Sequence, residues 1–262
     1  MEDDIPKLKK MIAEYAERSC PQPPRPVVTA DMILHGRDIT YENAASLLRL
    51  QPFGEKNPEP VFALPGAVVS AVYPLSNGEH TKLTVRYDGR EASVLLFRHK
   101  TSDLRYRTGS TVDLMVNMRA EEYNGSKRVS LIAIDHRFHG MKQDRFFAAA
   151  DAYEAFSRGE DQNTAFLIRG LPEREEMVYI YNVIKAAGGE MLFEELCSTV
   201  EGNPKFNAFK LRVIVDAFCE TGLAEFRLSV GRIKLLPPTK RADISEADTI
   251  KRLSALCKEG VH

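Results

Sequence analysis

Twelve residues, Gln51-Pro-Phe-Gly-Glu-Lys-Asn-Pro-Glu-Pro-Val-Phe62, rule out both helix and strand along most of their length. Pro52, Pro58 and Pro60 each lack a backbone donor and have a fixed φ. Asn57 and Glu59 precede prolines and are pushed to extended geometry. The stretch therefore reads as a rigid strap. Gly54 permits a turn, while Phe53, Val61 and Phe62 are apolar anchors for neighbouring cores. Three such anchors in so short a segment argue for a docked connection over a free linker.

Beyond the strap, the pattern from Gly66 to His139 is that of strands. Five are expected: Ala67–Tyr73, Thr81–Tyr87, Glu91–Phe97, Thr111–Arg119 and Lys127–Asp135. Leu83, Val85 and Tyr87 alternate with Lys82, Thr84 and Arg86, and Val112, Leu114, Val116 and Met118 alternate with polar partners, which is the two-residue period of a half-buried strand. A short helical or irregular segment, His99 to Arg107, separates the third and fourth strands. Three strands, an insertion and two strands is the order of an OB-fold, with another small β-barrel or sandwich as the alternative.

Before the strap, Ile5, Leu8, Ile12 and Tyr15 are spaced for one face of a helix. A short strand, Val27 to Leu34, and a helix entered through Asp38 or Thr40 follow, the latter with Ala44, Leu47, Leu48 and Leu50 as its apolar face. After the barrel, Met141 to Gly159 reads as a helix with Phe146, Phe147, Ala150, Tyr153 and Phe156 along one side. A polar loop leads from Gly159 to Thr164. Helices are then expected at Glu173–Ala187, Leu192–Val200 and Phe206–Thr221, with a hairpin of Leu223–Leu228 and Arg232–Leu236 after them. Three helices and a two-stranded wing is the order of a winged helix. Ser245 and Asp248 resemble a capping box opening a last helix through Leu256. The fold class is thus α+β multidomain: a partial α/β segment with the strap (1–62), an OB-fold barrel (63–139), a helical connector (140–170) and a winged-helix-like domain (171–262).

Length and composition limit the function classes. The 262 residues suit about two ordinary domains, and 44% apolar with 28% charged residues is a globular composition. Net charge is −1, so any surface for a polyanion is local. No run approaches the roughly 20 apolar residues of a membrane span, and the charged start Met1-Glu-Asp-Asp4 lacks a signal-peptide core, so the expected address is the cytoplasm with no membrane partner. Cys20, Cys197, Cys219 and Cys257 are scattered without a C-x-x-C pair and read as ordinary thiols.

The strap carries a resemblance. "L-x-P-F-G-x-x-N-P-E-P-V-F", Leu50 to Phe62, resembles the junction between the DHH-associated domain and the OB domain of RecJ, the single-strand-specific exonuclease family. The similarity extends upstream through Val28-Thr-Ala-Asp31, Asp38-Ile-Thr40 and Leu47-Leu-Arg-Leu50, and downstream through the OB-like segment. Lys56 departs from the pattern where the family usually places a second glycine, which puts the local turn in question. "L-P-x-R-E-x-x-V-x-I-Y", Leu171 to Tyr181, is similar to the C-terminal extension of some RecJ-like nucleases. The resemblance implies 5′-to-3′ degradation of single-stranded DNA with Mn²⁺ or Mg²⁺ in recombination and repair. It also implies that the metal-binding aspartates lie in a domain outside this chain. The Gly-Gly-His signature that the family carries just upstream is missing, so the chain is expected to be the C-terminal portion of a longer polypeptide, with no cofactor and no cutting activity of its own.

An OB-fold binds through its second and third strands and the loops joining strands one to two and four to five, here Pro74–His80 and Glu121–Ser126. The candidate nucleic-acid-binding residues are Lys82, Arg86, Arg98, Tyr123, Lys127 and Arg128. Between 66 and 139 there are eleven Lys and Arg against eight Asp and Glu, a sign opposite to that of the whole chain. Cations with aromatic platforms suit a single strand, because phosphate contacts supply affinity and stacking tolerates any base. Taken singly, each cation reads more simply as part of a solvated strand face. Ile134-Asp135-His136-Arg137-Phe138-His139 contains metal-ligand types, but along a strand His136 and His139 would face opposite sides, so no metal site is assigned. Phe206 to Thr221 is too apolar to read a duplex, which makes the last domain a bracing or docking element. The alternative to single-strand binding is a docking module for a single-strand-binding protein or a helicase.

Overall fold

A computed structural model describes residues 4–19, 25, 27–160, 163–237 and 243–259. The first helix, α1 (Asp4–Ser19), forms as expected, yet Ile5, Leu8, Ile12 and Tyr15 are all exposed. The expected strand at Val27–Leu34 shrinks to β1 (Met32–Ile33), which pairs in parallel with Phe62–Ala63. Helix α2 (Tyr41–Ser46) is capped by Thr40, whose Oγ1 accepts from the Asn43 amide at 3.2 Å, and it tightens into a 3₁₀ turn at Leu47–Leu50. Of its expected apolar face only Ala44 is buried and Leu47 partly so, while Leu48 and Leu50 stand exposed.

The strap is docked. Gly54 and Asn57 exchange backbone hydrogen bonds of 2.9 and 3.1 Å, and the Asn57 amide group donates to the carbonyls of Leu50 and Pro52 at 2.7 and 3.0 Å. Arg119 grips Glu59 with two bonds of 2.8 and 2.6 Å, and Asn117 donates to Pro60 O at 2.8 Å. Positive φ is found at neither Glu55 nor Lys56, so the turn closes without a second glycine. Of the three anchors, Phe62 is buried and Phe53 and Val61 are half-buried.

Phe62 already belongs to the barrel. Strands β2 (Phe62–Leu75), β3 (His80–Tyr87), β4 (Arg90–Leu96), β5 (Thr111–Tyr123) and β6 (Ser126–Phe138) follow the order β2-β3-β4-β6-β5, and β5 closes on β2. The β4–β6 pairing is parallel and the others antiparallel. This is the closed five-stranded OB topology. To pair with β3 on one side and β5 on the other, β2 must coil. It does so through irregularities between Leu64 and Ala67 and between Val69 and Ala71. Gly66, at φ 74°, occupies the first, a conformation that costs a residue with a Cβ. Apolar side chains from every strand fill the interior: Leu64, Leu83, Val85, Val94, Leu114 and Leu131 are each at most 1% exposed.

Beyond the barrel come α3 (Gln143–Arg158) and α4 (Thr164–Gly170), the latter a helix that the residue pattern after the Gly159–Thr164 loop did not foretell. Then α5 (Arg174–Ala186), β7 (Glu190–Leu192), α6 (Phe193–Val200), α7 (Ala208–Glu220), β8 (Ala224–Arg227), β9 (Arg232–Leu235) and α8 (Asp248–Glu259) complete the chain. The wing has three strands, in the order β7-β9-β8, where two were expected. β7 is only three residues long and merges with the start of α6, which hides it from a period-two reading. The capping box at Ser245 does not form. Asp243 bonds Ser245, and α8 starts at Asp248, its Thr249 amide served by Glu220 of α7 at 3.1 Å. Ala149, Phe156 and Leu167 share one core with α5, α7 and α8, whereas Leu192 joins the barrel's core.

Candidate nucleic-acid interface

Strand alternation decides what β3 shows to solvent. With Leu83 and Val85 inside, Lys82, Thr84 and Arg86 must face out. Arg86 is exposed and Lys82 half-buried between its cross-strand neighbours Tyr73 on β2 and Leu95 on β4. The two cations are four residues apart, about 13 Å along an extended strand. Arg98 follows β4 at φ 60°, its amide donating to His80 Nδ1 at 3.0 Å. The side chains of Lys82, Arg86 and Arg98 have no hydrogen bond or ion pair among the described residues, although Arg86 stands across the ladder from Glu91.

Register separates the candidates into two ends. Lys82 lies beside the β2–β3 turn, Ser76–Gly78, as does Arg98. Arg86, Lys127 and Arg128 lie at the opposite end, where β3 meets β4 and β5 turns into β6. The Glu121–Ser126 loop expected there is a two-residue turn, Asn124-Gly125, with φ 51° and 74°, the geometry that suits the twist of a tight hairpin. Glu121 consequently faces Arg128 and Glu122 faces Lys127 across the ladder. Arg128 is bound to Glu121 at 3.0 Å, and Lys127 sits 5.1 Å from the ring centre of Tyr41. Tyr123 ends β5, and its side chain lies outside the described residues. The two surfaces therefore differ: the cations on the β3–β4 face make no side-chain bond among the described residues, whereas those at the β5–β6 tip are partnered.

Two aromatic residues escaped sequence reasoning. Tyr73, 51% exposed, stands directly across from Lys82, and Phe97, 47% exposed, continues the outward row Glu91, Ser93, Leu95 of β4. Phe97 is held edge-on by His80, ring centres 5.3 Å apart. The signal for Phe97 was present in the period-two count along β4. Tyr73 is displaced by the irregularity at Ser70, which shifts the register of β2 against β3.

The two histidines of the Asp135-His136-Arg137-Phe138-His139 run go to separate partners. His136 Nδ1 is 2.8 Å from the Tyr106 hydroxyl, under the edge of His99, while His139 and Arg137 both reach Asp113, at 2.6 and 3.1 Å. Burial, then the neighbouring His99, holds the His136 pKa down to about 4, and burial raises that of Tyr106. Among the described residues no group of three or more His, Cys, Asp or Glu is placed to hold a metal ion. Burial also pushes up the thiols of Cys197, Cys219 and Cys257, the opposite of an activated nucleophile. Cys20 lies outside the described residues.

A closed five-stranded barrel of this topology, with a basic and aromatic outer face, defines an OB-fold protein. Residues 30–135 match the family model of the RecJ OB domain, and over this segment the chain is RecJ-like. It is 27% identical over 135 residues to the single-stranded-DNA-specific exonuclease RecJ of Bacillus subtilis (strain 168), a match covering 51% of this chain and 17% of that protein. RecJ of Thermus thermophilus, solved in complex with Mg²⁺, is 27% identical, covering 54% of this chain and 21% of the other with a TM-score of 0.40. The second single-stranded DNA binding protein of Mycobacterium smegmatis is 16% identical, covering 30% and 84%, with a TM-score of 0.26. The chain thus spans about a fifth of the length of these RecJ relatives. No described helix is long and apolar enough to cross a membrane.

Proposed function

We propose that this chain is the accessory, nucleic-acid-holding portion of a RecJ-like 5′-to-3′ single-stranded DNA exonuclease of recombination and repair. The end of a DHH-associated domain and the strap (1–62) position the barrel (63–139), and the remainder braces it. The reading rests on one observation above all: the outer β3–β4 face carries Lys82, Arg86 and Arg98, none held in a side-chain hydrogen bond or ion pair among the described residues, beside the exposed rings of Tyr73 and Phe97. Phosphates neutralise such cations and bases stack on such rings whatever their sequence. Lys127 and Arg128 at the β5–β6 tip, with Tyr123 at the end of β5, are proposed to extend this surface. Divalent-metal chemistry, with Mn²⁺ or Mg²⁺, belongs to a catalytic domain elsewhere in the full-length enzyme, so the chain holds a strand without cutting it.

The test is fluorescence anisotropy of labelled oligo-dT titrated at several salt concentrations. Affinity should fall steeply with salt, and Lys82→Glu with Arg86→Glu should weaken it at least tenfold and flatten the salt slope by about 1.4, two contacts at roughly 0.7 each. Absence of binding even at low salt favours the docking module for a single-strand-binding protein or helicase. Metal-dependent cleavage of the oligomer by the purified chain would falsify the division of labour.

A further inference from the structure

A second basic surface lies in the C-terminal module, away from β3 and β4. Arg145 in the first turn of α3, Arg169 in α4 and Lys205 in the turn between α6 and α7 are all exposed, and none has a side-chain hydrogen bond or ion pair among the described residues. All three line one cleft of about 760 Å³. Its floor holds Lys210 and Glu176, a buried pair at 2.9 Å that cancels its own charge. Glu201, also on the wall, faces Lys142 at 3.8 Å, which leaves Glu173 as the remaining acid against three free cations. Phe206 forms part of the wall and stacks on Tyr179, ring centres 5.5 Å apart and planes 16° from parallel, and Tyr179 is 46% exposed.

We propose that this cleft is a second contact for single-stranded nucleic acid. α7, which would enter a major groove in a duplex-reading winged helix, is buried from Ala208 to Leu211 and again from Val213 to Val215, so the module cannot insert it into a duplex. Cations alone would suit an acidic protein segment equally well. The exposed stack of Tyr179 and Phe206 beside them distinguishes the two, because a base offers a π-face to it and a carboxylate does not. Placement agrees. β4 ends at Leu96 beside Lys82 and Phe97, and β6, parallel to it, runs on from that end of the barrel into α3, where Arg145 stands.

The experiment uses the full chain and labelled oligo-dT of about 30 nucleotides, longer than one OB-fold covers. Arg145→Glu, Arg169→Glu and Lys205→Glu together should lower affinity at least tenfold and flatten the salt slope by about 2, three contacts at roughly 0.7 each. The charge-keeping set Arg145→Lys, Arg169→Lys and Lys205→Arg should restore both, and Tyr179→Ala should lower affinity about fivefold or more with the slope unchanged. Unchanged binding by the charge-reversed protein overturns the proposal. So does equal loss in the charge-keeping set at an unchanged melting temperature, or cleft-dependent binding of poly-glutamate in place of the oligomer. Running Lys82→Glu with Arg86→Glu in parallel keeps the two surfaces distinguishable: if only the cleft variants weaken binding, this inference stands and the barrel reading falls.

Discussion

His136 shows how one buried side chain can tie stability to pH. It sits between Tyr106, whose hydroxyl is 2.8 Å from Nδ1, and His99, with Arg105, Asp135 and Glu194 contributing smaller fields. Desolvation dominates and lowers its pKa from 6.5 to about 4. Because the folded value lies below the unfolded one, the unfolded chain binds a proton that the native state refuses between those two values. Stability should therefore fall as pH drops through the window from about 6.5 to about 4, by up to roughly 3 kcal/mol from this group. Urea unfolding of wild type and His136→Gln at about pH 7 and about pH 4.5 checks it: the variant should lose less stability between the two conditions. Equal losses would place the pH sensitivity elsewhere. At Lys56, where the resemblance implied a second glycine, the local turn needs no positive φ and lysine fits.

At the scale of elements, α7 organises the C-terminal module. Its apolar character is legible in Phe209, Leu211, Val213, Ile214, Val215 and Phe218, all at most 1% exposed, and the sequence reading of a helix built for burial is what the packing of α3, α4 and α8 around it displays. Gly170, at the end of α4, lies close against α7, where a Cβ would overlap the Phe209 ring. Phe209 is itself clamped by Phe156, Phe166 and Tyr153, so it has little freedom to yield. Gly170→Ala should cost about 1–3 kcal/mol through overpacking, read as a lowered denaturation midpoint. A neutral outcome would mean that α4 can shift away from α7.

For the whole molecule the question is what holds barrel and C-terminal module together. Arg105 bonds Glu194, and Arg107 bonds Glu195 at 2.9 Å and the Ala187 carbonyl at 3.3 Å, but both arginines are about half exposed. Such pairs contribute about 0–1 kcal/mol each. Leu192, 6% exposed, is buried in the barrel's core together with Met141, and Phe146 packs against both cores. Apolar burial thus outweighs the ion pairs. Leu192→Ala should cost about 2–5 kcal/mol and open the junction to limited proteolysis, whereas Arg105→Ala with Arg107→Ala should cost under about 2 kcal/mol. The reverse ranking would make the junction electrostatic.

Periodicity and proline content by themselves determined the five barrel strands, the strap and, α4 apart, the helix order of the C-terminal module, because alternation, the 3.6-residue period and a fixed φ are local properties written residue by residue. Parity along β3 likewise determined that Lys82 and Arg86 face outward. Only the tertiary structure decided that Tyr73 stands opposite Lys82, since that depends on the irregularity at Ser70 and on the register of two strands. Only packing decided that Arg128 spends its charge on Glu121 while Arg98 keeps its own, and that Arg145, Arg169 and Lys205 meet in one cleft from three separate elements. Contacts between residues distant in sequence depend on how elements are brought together, and a single chain read in order holds no local pattern for them.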